Sequence, residues 1–319
     1  MNSIIVKDLK KHWGQTKAVD GISFNVSAGE VFGFLGPNGA GKTTTIKMLV
    51  GLTKPTSGSA TVAGYDIVEE TTEVKKRIGV VPEASNLYNE LTVHENLLFV
   101  SKLYHIKPDL REGRINELLN TFQLTEYRNR PFGKLSKGLK RRTVLSAALL
   151  HEPEIIFLDE PTSGLDVMSA RNLRQVISEL SEMGVTVFLT THYIEEAGEL
   201  CDRIAIIVKG KLIEIESPEV LRSRLQDIPL INITVEMDEK IQLDDFRDIP
   251  GEDVRLMSDR VSILTRDVHE SLTAFTGLAE EKGIKILDVH TVKPQLEDAF
   301  IQLTGLTPES MRVEKEGKR

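Results

Sequence analysis

Apolar residues in the first two thirds of the chain come in short runs, at 30–35, 155–158, 185–189 and 203–208, separated by stretches with helical spacing. Near-continuous apolar runs of this length predict strands buried on both faces, and their alternation with helices predicts an α/β fold around a largely parallel sheet. Between about 84 and 133 the pattern turns polar and helix-forming, which predicts a helical insertion on that core. A second change comes at Asp227-Ile228-Pro229. Beyond it strands are expected at 230–236, 261–265 and 284–290, and helices at 268–282 and 295–303. In the last helix Leu296, Phe300 and Leu303 recur at i, i+4 and i+7, forming one apolar stripe. The expected organisation is therefore a domain over 1–226, with a helical subdomain over about 84–150, and a small α+β domain over 229–319 that ends in a charged, frayed tail from Met311.

Length supports two cores, since 319 residues exceed one typical domain. No apolar run approaches the roughly 18 residues that span a bilayer, and the first residues lack the apolar centre of a secretory signal. These features imply a soluble, intracellular chain. The single cysteine, Cys201, cannot close an internal disulfide and is expected to be a buried small side chain. Charge is uneven: 230–319 carry 19 acidic and 12 basic residues, leaving 29 acidic and 28 basic in 1–229. A nearly neutral first domain and an acidic second one argue against a general nucleic-acid binder.

The run at 30–35 leads into Gly36-Pro37-Asn38-Gly39-Ala40-Gly41-Lys42-Thr43, with Thr44 next and a helix following to about Leu49. This is G-x-x-x-x-G-K-[ST] in its required strand, loop and helix setting. Glycines let the main chain aim several N–H groups at phosphate oxygens, and the helix start adds partial positive charge. Lys42 is expected to reach the β- and γ-phosphates of a nucleotide, and the Thr43 hydroxyl to ligate Mg2+. The run at 155–158 ends in Asp159-Glu160. Beside a phosphate loop the two carboxylates divide the work, Asp159 on Mg2+ and Glu160 polarising the attacking water.

At this point the chain resembles an ATP-binding cassette (ABC) ATPase over roughly residues 4–224. The loop at 36–43 resembles the family's Walker A and 155–159 its Walker B. Leu135-Ser136-Lys137-Gly138-Leu139, followed by Lys140-Arg141-Arg142, resembles the LSGGQ signature. Read alone, that stretch is a serine helix cap followed by a basic, solvated face. Ser163-Gly164-Leu165-Asp166 resembles the D-loop, and His192 the switch histidine that contacts γ-phosphate. Trp13, the only tryptophan, stands by resemblance at the adenine-stacking position, the bland alternative being a partly buried strand-end aromatic. Two departures stand out. Glu83 in Val80-Val81-Pro82-Glu83 replaces the family's Q-loop glutamine, so a carboxylate faces the metal and water, where it could ligate Mg2+. Lys137 and Leu139 replace glycine and glutamine in the signature, while Ser136 and Gly138, the residues that would contact phosphate across a dimer, are retained.

The resemblance implies an ATPase that binds ATP and Mg2+ between two cassettes. With one cassette per chain, it implies a homodimer or a heterodimer with a related subunit. It further implies a transmembrane permease subunit docked on the surface around 83–98, and a location on the cytoplasmic face of a membrane. The stretch 294–305 resembles the C-terminal appendage of ATPases serving exporters. Two other readings stay open. One is a non-transport cassette ATPase acting on ribosome or DNA, disfavoured by the lack of a second cassette, long coiled coils or a broad basic surface. The other is a nucleotide-binding regulator without turnover, for which Glu83 is the argument.

Overall fold

A computed structural model of the chain describes residues 2–223, 228–236, 242–307 and Met311. They form two compact units, one running to Ser217 and including Met311, the other Pro218–Thr307. The division falls earlier than the composition change at 227–229. Of the frayed tail expected from Met311, Met311 itself is instead fully buried with its carbonyl held by the Asn38 N–H, and 312–319 lie outside the described residues.

The first unit opens with a feature the apolar runs do not announce. β1 (Asn2–Trp13) and β2 (Thr16–Ser27) form a long hairpin. After β3 (Val31–Leu35) and α1 (Lys42–Leu49), β4 (Ser57–Val62) and β5 (Tyr65–Asp66) complete an antiparallel sheet of order β2-β1-β4-β5. Lysines and aspartates occupy its solvent side and the β1–β2 register shifts at several places, so the alternation is interrupted. Next come α2 (Thr71–Arg77) and β6 (Ile78–Val81). The helical insertion follows as expected, with α3 (Val93–Leu103), α4 (Pro108–Thr121) and α5 (Lys137–Leu149), and no strand between 84 and 133 among the described residues. α3 starts where Thr92 and Glu95 make a reciprocal capping box. The unit continues with β7 (Ile155–Asp159), α6 (Val167–Glu182), β8 (Thr186–Thr191), α7 (Ile194–Leu200), β9 (Arg203–Val208) and β10 (Lys211–Glu216).

The second sheet has the order β10-β9-β3-β8-β7-β6, parallel except for β10. β3, β7 and β8 are buried at every residue, as their mainly apolar sequences require. A phenylalanine cluster joins the two sheets: Phe24 of β2 stacks on Phe32 at 5.4 Å between centroids and lies 6.0 Å from Phe188, which also meets Phe34 and Phe157. Cys201 is buried, and burial pushes its thiol well above the ordinary range. Among the described residues no helix is long and apolar enough to cross a membrane.

The second unit carries its own core. α8 (Pro218–Ser223) is followed by β11 (Leu230–Val235), β12 (Asp253–Met257), β13 (Arg260–Leu264), α9 (Val268–Lys282), β14 (Ile286–Val292) and α10 (Leu296–Thr304). The sheet order is β12-β13-β11-β14, all antiparallel. Ile231, Ile233, Phe246, Val261, Ile263 and Phe275 fill its centre. β12 carries Asp253 and Arg255 and so lacks the apolar run that marks its neighbours.

Candidate functional site

β3, β7 and β8 lie side by side and end at the same edge of the parallel sheet, so the segments that follow them meet there. The loop at 36–43 turns back tightly. Gly41 has φ +107, and a Cβ there would sit 2.4 Å from the Ala18 carbonyl oxygen; a Cβ on Gly36 would sit 2.2 Å from that of Ile207. Only glycine fits either position. α1 begins at Lys42 without a side-chain cap, which leaves its first N–H groups directed into the loop.

Lys42 is buried, and its ammonium donates to the Gly36 carbonyl at 2.6 Å and the Pro37 carbonyl at 3.1 Å. It also pairs with Glu160 Oε1 at 3.4 Å, while His192 Nδ1 lies 2.9 Å from Glu160 Oε2. Burial alone would raise the Glu160 carboxyl, but the His192 hydrogen bond and the Lys42 charge outweigh it and hold the group down at about 2. Glu160 sits at φ +46 on the sharp exit from β7. That turn is fixed by its N–H, which donates to the main-chain and hydroxyl oxygens of Thr190, each at 3.1 Å. Of the four residues expected to be catalytic, Lys42, Glu160 and His192 form a contiguous chain of polar contacts, and Glu83 is not part of it.

Asp159 is buried beside it. Its Oδ1 accepts from the Thr43 hydroxyl at 3.2 Å and from the Thr190 hydroxyl at 2.6 Å. Thr43 and Asp159 therefore present two oxygens at one point, a donor set suited to a hard divalent cation completed by phosphate and water. Glu83 is exposed; its carbonyl accepts from Arg141 at 3.5 Å. Among the described residues no group of three or more His, Cys, Asp or Glu is placed to hold a metal unaided.

The other expected contacts are distributed around this centre. Asn38, third in the loop, donates its main-chain N–H to the carbonyl of Met311, which is fully buried. Ala40 is buried in the loop, Gly39 has φ +80, and Thr44 continues the first turn of α1. Trp13 is 57% exposed at the end of β1, with the Lys11 ammonium 4.2 Å from its ring centroid. Ser136 caps α5 by accepting from the Leu139 N–H at 3.3 Å. Gly138 is buried, and a Cβ there would lie 2.6 Å from Ser169 Oγ at the start of α6, so the signature glycine also has an intrachain reason to be small.

Two contributors were not read as such from the sequence. Thr190 holds both carboxylate residues, yet only the β7–β8 register, which sets Asp159 opposite Thr190, reveals it. Arg141 lies in a basic run that reads as a solvated face, but its side chain is buried and reaches back to the β7 exit.

A family model described as ABC transporter matches residues 19–163. The chain is 40% identical over 304 residues to the linearmycin resistance ATP-binding protein LnrL of Bacillus subtilis (strain 168), covering 94% of this chain and 98% of that protein. It is 35% identical over 317 residues to the bacitracin transport ATP-binding protein BcrA of Bacillus licheniformis, covering 95% and 98%. Among solved structures, a dimeric post-hydrolysis state of the ATP-binding cassette MJ0796 bound to ADP and Pi matches with a TM-score of 0.62 at 28% identity, covering 67% of this chain and 98% of that one. The assembled phosphate loop, the strand-end carboxylates and a similarity that spans nearly the whole chain lead to one assignment: the chain belongs to the ATP-binding proteins of the ABC transporter family and is an ATPase.

Proposed function

We propose that the chain is the motor subunit of an exporter, working on the cytoplasmic face of a membrane through a separate transmembrane permease subunit and a second cassette. The observation that carries this reading is the extent of the similarity. The relatives named for linearmycin resistance and bacitracin transport match over 94% and 95% of the chain, so the likeness includes the second unit and not only the cassette.

The resting geometry supports a defined exchange of partners. ATP brings its phosphates to the N–H groups of the loop, and Lys42 trades the Gly36 and Pro37 carbonyls and Glu160 for phosphate oxygens. Thr43 and Asp159 would hold Mg2+, which supplies charge neutralisation on the phosphates when bound. Glu160, no longer paired with Lys42, orients the attacking water and accepts its proton as the bond from the γ-phosphorus to the ADP oxygen breaks. His192 keeps Glu160 in place through its Nδ1 contact and faces the same point. Ser136 and Gly138 of a second cassette complete the site from across the dimer.

Glu160→Gln should bind ATP normally, slow hydrolysis severely and accumulate an ATP-bound dimer in size-exclusion chromatography; unchanged turnover would remove Glu160 as the base. Lys42→Ala should lose tight ATP binding by isothermal titration. Purification of the tagged chain from detergent-solubilised membranes tests the partner. A polytopic membrane protein should elute with it, whereas elution with ribosomes would overturn the transport reading.

A further inference from the structure

Arg141 is 9% exposed, and its guanidinium donates to five main-chain carbonyls. Nε donates to Pro161 at 2.7 Å, and one terminal nitrogen donates to Asp159 at 3.0 Å and Glu160 at 2.7 Å. The other donates to Pro82 at 2.5 Å and Glu83 at 3.5 Å. Arginine has five N–H donors in a fixed planar fork, and here five carbonyls receive them. A buried cation without its donors satisfied is costly, so this arrangement is strongly specified. The carboxylates of Asp159, Glu83, Glu196 and Glu160 act on it electrostatically from the surroundings.

The five acceptors belong to two segments with different duties. Asp159, Glu160 and Pro161 form the exit of β7, whose turn aims the metal-facing and water-facing carboxylates. Pro82 and Glu83 follow β6 and lead toward the helical insertion. Arg141 itself stands on α5, five positions after its cap Ser136 and three after Gly138. At 1.5 Å per residue the Arg141 backbone lies about 8 Å along the helix axis from the cap. One side chain therefore ties three parts together: the segment holding Glu83, the turn holding the catalytic carboxylates, and the helix start that faces a second cassette.

We propose that Arg141 is a positioning residue that couples the Glu83 segment and the β7 exit to the signature end of α5, so that a shift at the phosphates is passed to Ser136 and Gly138. The inference rests on the sandwich reading above. Its action is indirect: Arg141 touches carbonyls, and through them sets where Glu160 and Ser136 stand. Displacing such groups by about 1 Å lowers turnover by on the order of 100-fold without requiring loss of nucleotide affinity.

Arg141→Lys, which keeps the charge but has three donors, and Arg141→Gln, which removes the charge, test this in the full-length chain. Steady-state ATPase assays should show kcat reduced by about 10- to 100-fold in both, with the ATP Kd by isothermal titration within about 2-fold of the parent. In a Glu160→Gln background, either substitution should abolish ATP-dependent dimerisation measured by light scattering. A structural role alone predicts a lower melting temperature with unchanged kcat and dimerisation well below that temperature, and this result overturns the proposal. So does a parallel loss of ATP binding and kcat, which places the damage in the phosphate loop. If the Glu160→Gln chain with Arg141 intact fails to dimerise with ATP, the sandwich reading itself fails.

Discussion

The pairing of Glu160 with Lys42 and His192 makes a quantitative prediction for the nucleotide-free chain. The carboxyl falls from an ordinary 4.5 to about 2 because the His192 hydrogen bond and the Lys42 charge overcome the penalty of burial. A depressed folded-state pKa stabilises the fold above the unfolded value and loses that contribution as pH falls through the folded one. The difference corresponds to about 3 kcal/mol at neutral pH, present above about 4.5, and about 2 kcal/mol of it is gone by pH 3. Glu160→Gln cannot titrate and lacks this contribution at every pH. Urea unfolding of both proteins, followed by circular dichroism without nucleotide or Mg2+ at pH 7, 5, 4 and 3, reads the gap between them. The gap should be nearly constant from pH 7 to 5 and shrink by about 2 kcal/mol at pH 3. A gap that stays constant down to pH 3, or widens, would falsify the assigned cluster, since no native interaction of Glu160 would then depend on its charge.

Other consequences are more local. Phe188→Ala removes the ring at the centre of the aromatic cluster between the two sheets and should cost about 3–5 kcal/mol in chemical unfolding; a loss below about 1 kcal/mol contradicts that packing. Trp13→Ala should weaken ATP binding by about 5- to 100-fold if the exposed indole stacks on adenine, and an unchanged Kd leaves Trp13 without that role. Gly41→Ala, with φ +107 and the Ala18 carbonyl in the way, should abolish ATP binding. Gly64→Ala, at φ +83 in open space, should cost about 1–2 kcal/mol of stability and leave the Kd unchanged. Equal effects of the two glycine substitutions on ATP binding would contradict the close-approach argument.

The parts of the fold that depend on unbroken apolar runs were readable in advance. β3, β7 and β8 are buried on both faces, and apart from Gly33 their central positions are aliphatic or aromatic, with polar residues at the ends of β7 and β8. α9 begins and ends where expected, with Asp267 as its cap and Gly283 closing it in the left-handed conformation. The antiparallel sheet escaped because β1 and β2 need one dry face only and carry Lys7, Asp8, Lys10 and Lys11 along a strand with shifted register. The phosphate loop was legible because its residue types fall at a fixed spacing between a strand and a helix, although Gly36 and Gly41 also answer to the carbonyls of Ile207 and Ala18. Thr190 and Arg141 were not, because both act on residues distant in sequence. Thr190 gains its role from strand pairing, and Arg141 satisfies its charge on carbonyls, whose positions no side-chain pattern encodes.

The ion pair between Lys42 and Glu160 also bears on which anions the site notices from a distance. A lysine facing solvent without a counterion would cast a positive field and gather any phosphate or sulfate nearby. Here the buried cation has a carboxylate 3.4 Å away, which offsets its contribution to the field beyond the loop. An incoming anion gains from Lys42 only once it can also occupy the loop's N–H groups and replace the carbonyls and carboxylate that hold the side chain. A polyphosphate tail can occupy more of the loop's N–H groups at once than a single phosphate or sulfate, and so gains more from the exchange.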